Sequence, residues 1–276
     1  MQDNNPEEKH TYRIALGVEY DGSHFSGWQK QAAPELPTVQ RALEKALSRI
    51  ADRPVALTCA GRTDKGVHAT AQVVHFDCDI DRGSRAWETG TNSLLPPSVR
   101  VIWSKVVAED FHARFKATAR RYLYLLYDAP VAPALLADQL TYVNRQLDIE
   151  RMHEAARHLI GEHDFSAYRA AGCQSRTPDR CIHLINVQRK NRYIVVDIQA
   201  NAFLQHMVRN IVGMLLEVGR GERGPNWAGE LLQSRDRTAG GVTAPAAGLY
   251  LVQVTYPEEY GLPQVELGPS FLRPYP

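Results

Sequence analysis

The order of apolar patterns along the chain predicts an α+β fold of two similar units joined into one mostly antiparallel central sheet, with helices on its outer face. Three observations predict it. Over residues 1–108, runs with a period of two and runs with helical spacing follow one another as βαββαβ. A looser copy of that order fills 109–276, and no flexible linker separates the two stretches. The βαββαβ order is that of the ferredoxin-like, split βαβ arrangement. We therefore expect an N-terminal unit over 1–108 and a C-terminal unit over 109–276 ending in a proline-rich tail.

In the first strand, residues 12–20, Tyr12, Ile14, Leu16, Val18 and Tyr20 lie on one side and Arg13, Ala15, Gly17 and Glu19 on the other. Thr38 is placed to cap a helix running to about Asp52, with Val39, Leu43, Ala46, Leu47 and Ile50 at helical spacing. Val55–Cys59 and Ala71–Cys78 read as strands around a loop edged by Gly61 and Gly66. Ser84 opens a short helix, and Val99–Val107 is the fourth strand. In the second half, Phe111–Asp128 reads as one long strand, and Asp148 caps a helix to Ile160. Strands Ile182–Arg189 and Arg192–Ala200 follow, then a helix over Gln205–Gly219, a helical turn over Trp227–Gln233 and a last strand, Leu249–Thr255. Five prolines in Pro257–Pro276 predict an extended tail.

An apolar content of 44% is too high for a disordered chain. No run approaches the roughly 18 apolar residues of a membrane span, and the polar start of the sequence has no secretion signal, so a cytoplasmic protein is expected. Four cysteines without a C-x-x-C pair encode neither a zinc site nor a disulfide framework, and the histidines form no H-E-x-x-H; we expect no metal. Phosphate-cradling glycine motifs are missing too, so no nucleotide cofactor is expected. Lys+Arg 32 against Asp+Glu 31 does not announce a polyanion binder, yet Arg114, Lys116, Arg120 and Arg121 are clustered, as are the basic residues between Arg169 and Arg192. Either cluster fits a solvated face as well as a nucleic-acid contact.

Three stretches could carry chemistry. The loop from Cys59 to Ala69 sets Asp64 with Arg62 and Lys65 between Gly61 and Gly66, and His68 just beyond; it is a turn built on an aspartate or an active-site loop. Arg209 sits in an apolar helix, where an unpaired guanidinium is costly, so a carboxylate must face it. Asp64 is the candidate partner; the alternatives are solvent, or Glu217 two turns on. From Arg114 to Tyr124, cations alternate with aromatics, as in a strand that tracks phosphates and stacks unpaired bases, or in an edge strand with a wet side.

Together, Gly61-Arg62-Thr63-Asp64-Lys65-Gly66-Val67-His68, Phe111–Phe115 with Arg120-Arg121-Tyr122, Asn201-Ala202-Phe203 with His206–Gly213, and Gly248–Leu251 resemble the tRNA pseudouridine synthase A family, over nearly the whole chain. Lys65 departs from the pattern, which more often has Ala there. The resemblance implies an isomerase that converts uridine to pseudouridine at about positions 38 to 40 of the tRNA anticodon stem-loop, without cofactor or metal. It also implies base flipping and a homodimer with the RNA lying across both subunits. It makes Asp64 the catalytic aspartate and Arg209 its ion-pair partner. Tyr122 and Leu249 would sandwich the uracil, and Arg62 would take the flipped base's place. From their charge and position, Lys65, His68, Arg114, Arg120 and Arg121 are expected to contact the RNA. Two rival readings of the same residues are a non-catalytic RNA-binding protein and a metal-dependent nuclease.

Overall fold

The computed structural model describes residues 11–31 and 34–272. The polar start (1–10) and the end of the proline-rich tail (273–276) lie outside the described residues.

The first half runs β1 (Tyr12–Tyr20), α1 (Val39–Ala51), β2 (Thr58–Cys59), β3 (His68–Cys78), a π-turn (Ala86–Gly90) leading into α2 (Thr91–Leu94), and β4 (Val99–Val107). Its boundaries follow local chemistry. The Thr38 side chain accepts the Arg41 N–H at the start of α1, and Asp52 turns left-handed at its end. Ile14, Leu16, Val18 and Tyr20 all enter the main core, as the period of two requires, whereas Ala15 packs on the opposite face. The strand expected from Val55 is much shorter, because only Thr58 and Cys59 find partners on β3.

The second half runs β5 (Ala119–Asp128), β6 (Thr141–Val143), α3 (Ile149–Arg157), β7 (Gly161–Asp164), β8 (Asp179–Lys190), β9 (Tyr193–Ala200), α4 (Met207–Gly219), α5 (Trp227–Ser234) and β10 (Leu249–Thr255). The long strand expected from Phe111 begins only at Ala119. Residues 111–118 form turns instead: Lys116 N–H donates to the His112 carbonyl, and Phe111 and Ala113 bury themselves in a separate apolar cluster. Their alternate burial imitates a strand in the sequence without strand pairing.

The ten strands among the described residues form one sheet along the path β4-β1-β3-β10-β5-β9-β8-β7, with β2 also on β3 and β6 also on β5. Both halves share one connectivity, β4-β1-β3-β2 and β10-β5-β9-β8, antiparallel throughout. They meet through a short parallel pair, Tyr250 beside His68 and Leu251 beside Ala69. Residues of α1, α3, α4 and α5 share the main core on one face of the sheet. The tail is no free extension. Its turns at Glu258–Tyr260 and Ser270–Leu272 bury Tyr260 and Leu272 in the two smaller clusters on the other face. Among the described residues, no helix is long and apolar enough to cross a membrane.

His75 on β3 fastens the 111–118 segment: its Nδ1 accepts the Ala113 N–H at 3.1 Å. Burial, helped by the neighbouring His112 and Arg13, lowers its pKa to about 4. The unfolded chain takes up that proton near pH 6.5 and the folded chain only near 4, so stability falls as pH drops through that window and the loss is complete below it. Between pH 7 and 4.5 the wild type should lose about 2 kcal/mol more than His75→Asn, which keeps an acceptor but no titration. Urea unfolding of both proteins at the two pH values measures the difference.

Candidate active site

The loop between β2 and β3 is held at both ends and in its middle. Ala60 N–H donates to Val73 O at 2.8 Å, and the buried Gln72 side chain donates to Gly61 O at 2.6 Å. The Tyr20 hydroxyl meets Thr63 Oγ1 at 2.7 Å, Trp28 N–H donates to Thr63 O at 2.9 Å, and Val67 N–H closes a turn on Asp64 O at 3.1 Å. Asp64 thus projects from a pinned turn with its side chain one-third exposed.

The first turn of α4 faces it. His206 Nε2 lies 3.4 Å from Asp64 Oδ2, and Arg209 Nη1, one helical turn on, lies 3.7 Å from the same oxygen. The expected partner of Arg209 is therefore at hand, but the pair is looser and wetter than a buried salt bridge. Arg209 Nε donates to Ala244 O at 2.7 Å, and its side chain is 17% exposed. The alternative partner Glu217 is 3.9 Å from Arg223 instead. Around Asp64 opens a cleft of about 690 Å³ between Ser26–Gln29, the 62–66 turn and the Gln205–Arg209 segment.

Tyr122 and Leu249 are not on the wall of this open cleft; they lie in the core, 8% and 6% exposed. Tyr122 packs edge-on against Phe203, with ring centres 5.1 Å apart, and a Cβ placed on Gly61 would stand 3.8 Å from its hydroxyl oxygen. Burial raises the Tyr122 pKa strongly; Arg120 opposes the shift and Asp64 adds to it. Tyr124 points to the same side and donates to Pro245 O at 2.8 Å.

Arg62 and Lys65 are exposed at the cleft. Arg114 is exposed in the turn before β5, its guanidinium 5.5 Å over the Phe115 ring. Three other cations or candidates are committed internally. His68 is buried: its Nε2 is 3.0 Å from both Asp138 O and Ala247 O, and its Nδ1 accepts the Gly22 N–H at 3.1 Å. Arg120 donates to the carbonyls of Ala60, Arg114, Ala117 and Asn201. Arg121 projects from the other face of β5 into a two-pronged pair with Asp197, at 2.8 and 2.6 Å. Of the expected RNA-facing group His68, Arg114, Arg120 and Arg121, Arg114 alone is exposed, and it precedes β5 rather than lying on it.

Sequence reasoning assigned no role to His206, Gln205 or the Ser26–Gln29 wall. His206 has a local signal, its position just ahead of an apolar helix. The wall depends on contacts between distant segments, which no local pattern carries.

A family model described as tRNA pseudouridine synthase matches residues 17–116 and 155–257. Proteins named tRNA pseudouridine synthase A are similar over 260 residues, 94% of this chain and 99% of each relative. They are 54% identical in Photobacterium profundum, 54% in Shewanella woodyi and 55% in Shewanella amazonensis. The chain belongs to the tRNA pseudouridine synthase A family. It is accordingly an isomerase of tRNA uridine. The matched stretches of this pseudouridine synthase contain Asp64, His206, Arg209 and Leu249, while Tyr122 falls between them.

Gly27 sets how closely the cleft wall approaches the Asp64 turn. It has φ +98, and a Cβ there would lie 2.9 Å from Thr63 O and 3.2 Å from the Asp64 carbonyl carbon. Gly27→Ala should cost about 1–3 kcal/mol in stability through strain and clash. By displacing Asp64, it should also slow pseudouridine formation at least about tenfold. Thermal melts and single-turnover assays on tRNA check the two effects.

Proposed function

We propose that this isomerase forms pseudouridine at about positions 38 to 40 of the tRNA anticodon stem-loop, extruding the target nucleotide and acting on it with Asp64. The observation that carries this reading is the Asp64 carboxylate, partly exposed in an open cleft and flanked by His206 and Arg209 without a hydrogen bond that would lock it. The reaction breaks the bond from C1′ to N1, turns the detached uracil and bonds C1′ to C5. It therefore needs an anion that can attack or stabilise the reacting sugar or base, and walls that retain the loose ring.

Asp64 supplies the anion, Arg209 opposes its charge, and the His206 ring lies beside the same carboxylate oxygen. Tyr122, whose hydroxyl lies near Gly61 of the loop, and Leu249 are buried behind the cleft, so in this reading the extruded uracil reaches their flat and aliphatic surfaces only by entering beyond the open wall. Extruding a stacked nucleotide costs a few kcal/mol. The exposed Arg62, two residues from Asp64, is suited to filling the space that the base leaves. Lys65 and Arg114 add exposed positive charge for phosphates. His68, Arg120 and Arg121 act in this reading as scaffold, because their donors are already engaged. Incubating unmodified tRNA labelled with tritium at uracil C5 tests the assignment. Asp64→Asn should release tritium at less than about one-thousandth of the wild-type rate while binding tRNA within a few-fold. Turnover near wild type would remove Asp64 from the chemistry.

We take the working unit to be a homodimer with the tRNA lying across both chains. Each chain carries a net charge of only +1, and its free cations near Asp64 are few, so two chains would supply the phosphate contacts that one lacks. Sedimentation of the enzyme–tRNA complex should give two protein chains per assembly. With about four phosphate contacts, affinity should fall about a hundredfold when salt rises fourfold. A single chain per complex, or salt-independent binding, would overturn this assignment.

A further inference from the structure

We infer that His206 is a positioning residue for Asp64: its imidazole steadies Oδ2 of the carboxylate from a backbone conformation that the surrounding fold enforces. This rests on the reading of Asp64 as the catalytic group.

Two independent observations support it. First, among the groups facing Asp64, the His206 ring is closer than the guanidinium, 3.4 Å against 3.7 Å. Arg209 is also committed elsewhere. Its Nε donates to Ala244 O at 2.7 Å and its own carbonyl accepts the Ala244 N–H at 3.1 Å, so its guanidinium orientation serves the loop before β10 as well as Asp64. His206 has no other side-chain partner among the described residues, and it lines the cleft one-third exposed.

Second, His206 occupies the left-handed region, φ 60 and ψ 3, at the N-cap of α4, where it makes no side-chain cap. A non-glycine residue there is strained, and such strain persists only where neighbours over-determine it. They do so here. Leu204 and Met207 on either side are buried, Gln205 O accepts the Ala170 N–H at 3.1 Å, and His206 O accepts the Asn210 N–H at 2.8 Å to start the helix. An N-cap is ordinarily filled by Ser, Thr, Asp or Asn. The chain instead keeps, in a strained position, a side chain whose only polar partner among the described residues is Asp64.

Two substitutions separate positioning from support of the fold. Asparagine is tolerated in the left-handed region but is too short to reach Asp64. Glutamine is less suited to that backbone, yet it carries an amide nitrogen as many bonds from Cα as Nε2. Stability and activity should therefore rank in opposite orders. His206→Asn should melt at or above the temperature of His206→Gln. In single-turnover pseudouridine formation, it should be at least tenfold slower than wild type, with tRNA affinity within threefold. His206→Gln should recover to within about fivefold of the wild-type rate. A wild-type rate in His206→Asn, rates that follow the melting order, or a loss confined to tRNA affinity would each overturn the inference. Asp64→Asn run alongside separates the two claims. If it is inactive while His206→Asn is unimpaired, only the positioning role fails; if it turns over normally, the reading beneath fails as well.

Discussion

A single buried imidazole holds together the segments on which the cleft depends. His68 begins β3 directly after the Asp64 loop. Its Nε2 lies between the carbonyls of Asp138 and Ala247, its Nδ1 accepts from Gly22, and its ring stacks on Tyr250 at 4.7 Å. Those contacts join the first loop, the long connection after β5 and the segment leading into β10. They sit at the one place where the two halves pair strand to strand, β3 beside β10. The Asp21 carboxylate also lies 3.2 Å from the His68 Nδ1, and loss of the ring would break every one of these contacts, because a buried polar group is tolerated only with its hydrogen bonds satisfied. The cleft exists because this junction brings the loop of one half against the helix of the other.

The segment before β10 carries the same constraint further. Tyr124 holds Pro245 O, Arg209 holds Ala244 on both its N–H and carbonyl, and His68 holds Ala247 O. Three side chains from three elements thus fix a stretch that is itself without regular structure. Arg209 is part of that frame, which accounts for its long distance to Asp64: its best hydrogen-bond geometry is spent on a backbone carbonyl. A carboxylate flanked by an imidazole and a guanidinium but not clasped by them stays accessible in the cleft, and the electrostatic field around it is set by the frame rather than by one tight pair.

Much of this was legible in the sequence where local physics decides. The alternation in Tyr12–Tyr20, the Thr38 and Asp148 caps and the apolar run of α4 specify their elements without help from distant contacts. Legibility fails where burial comes from elsewhere. Phe111 and Ala113 alternate like a strand but fill a cluster with Tyr260 and Trp103. Thr141–Val143 and Gly161–Asp164 are strands only because β5 and β8 offer them partners. At the cleft, the glycine-edged loop exposes Asp64 as a candidate. The left-handed turn at His206 is not specified by local sequence, since no glycine marks it and histidine also occupies ordinary helical and extended backbone.

The distribution of charge, which the net value of +1 does not describe, follows the same distinction between local and long-range pairing. Arg13 meets Asp77, Arg121 meets Asp197, Arg189 meets Asp128, Lys30 meets Glu44 and Lys116 meets Asp110, so these cations cancel against carboxylates within the fold. Arg120 keeps its charge, but its donors are turned inward onto four carbonyls. What remains unspent near Asp64 is Arg62, Lys65 and Arg114, each exposed. Unpaired charges set the local potential, whereas paired ones largely cancel beyond a Debye length of about 10 Å at 0.1 M salt. A count of lysines and arginines along the chain is therefore a poor guide to where a polyanion is drawn. The useful quantity is which of them the fold has left without a partner, and that is decided by sheet register and side-chain direction, as the adjacent pair Arg120 and Arg121, facing opposite sides of β5, demonstrates.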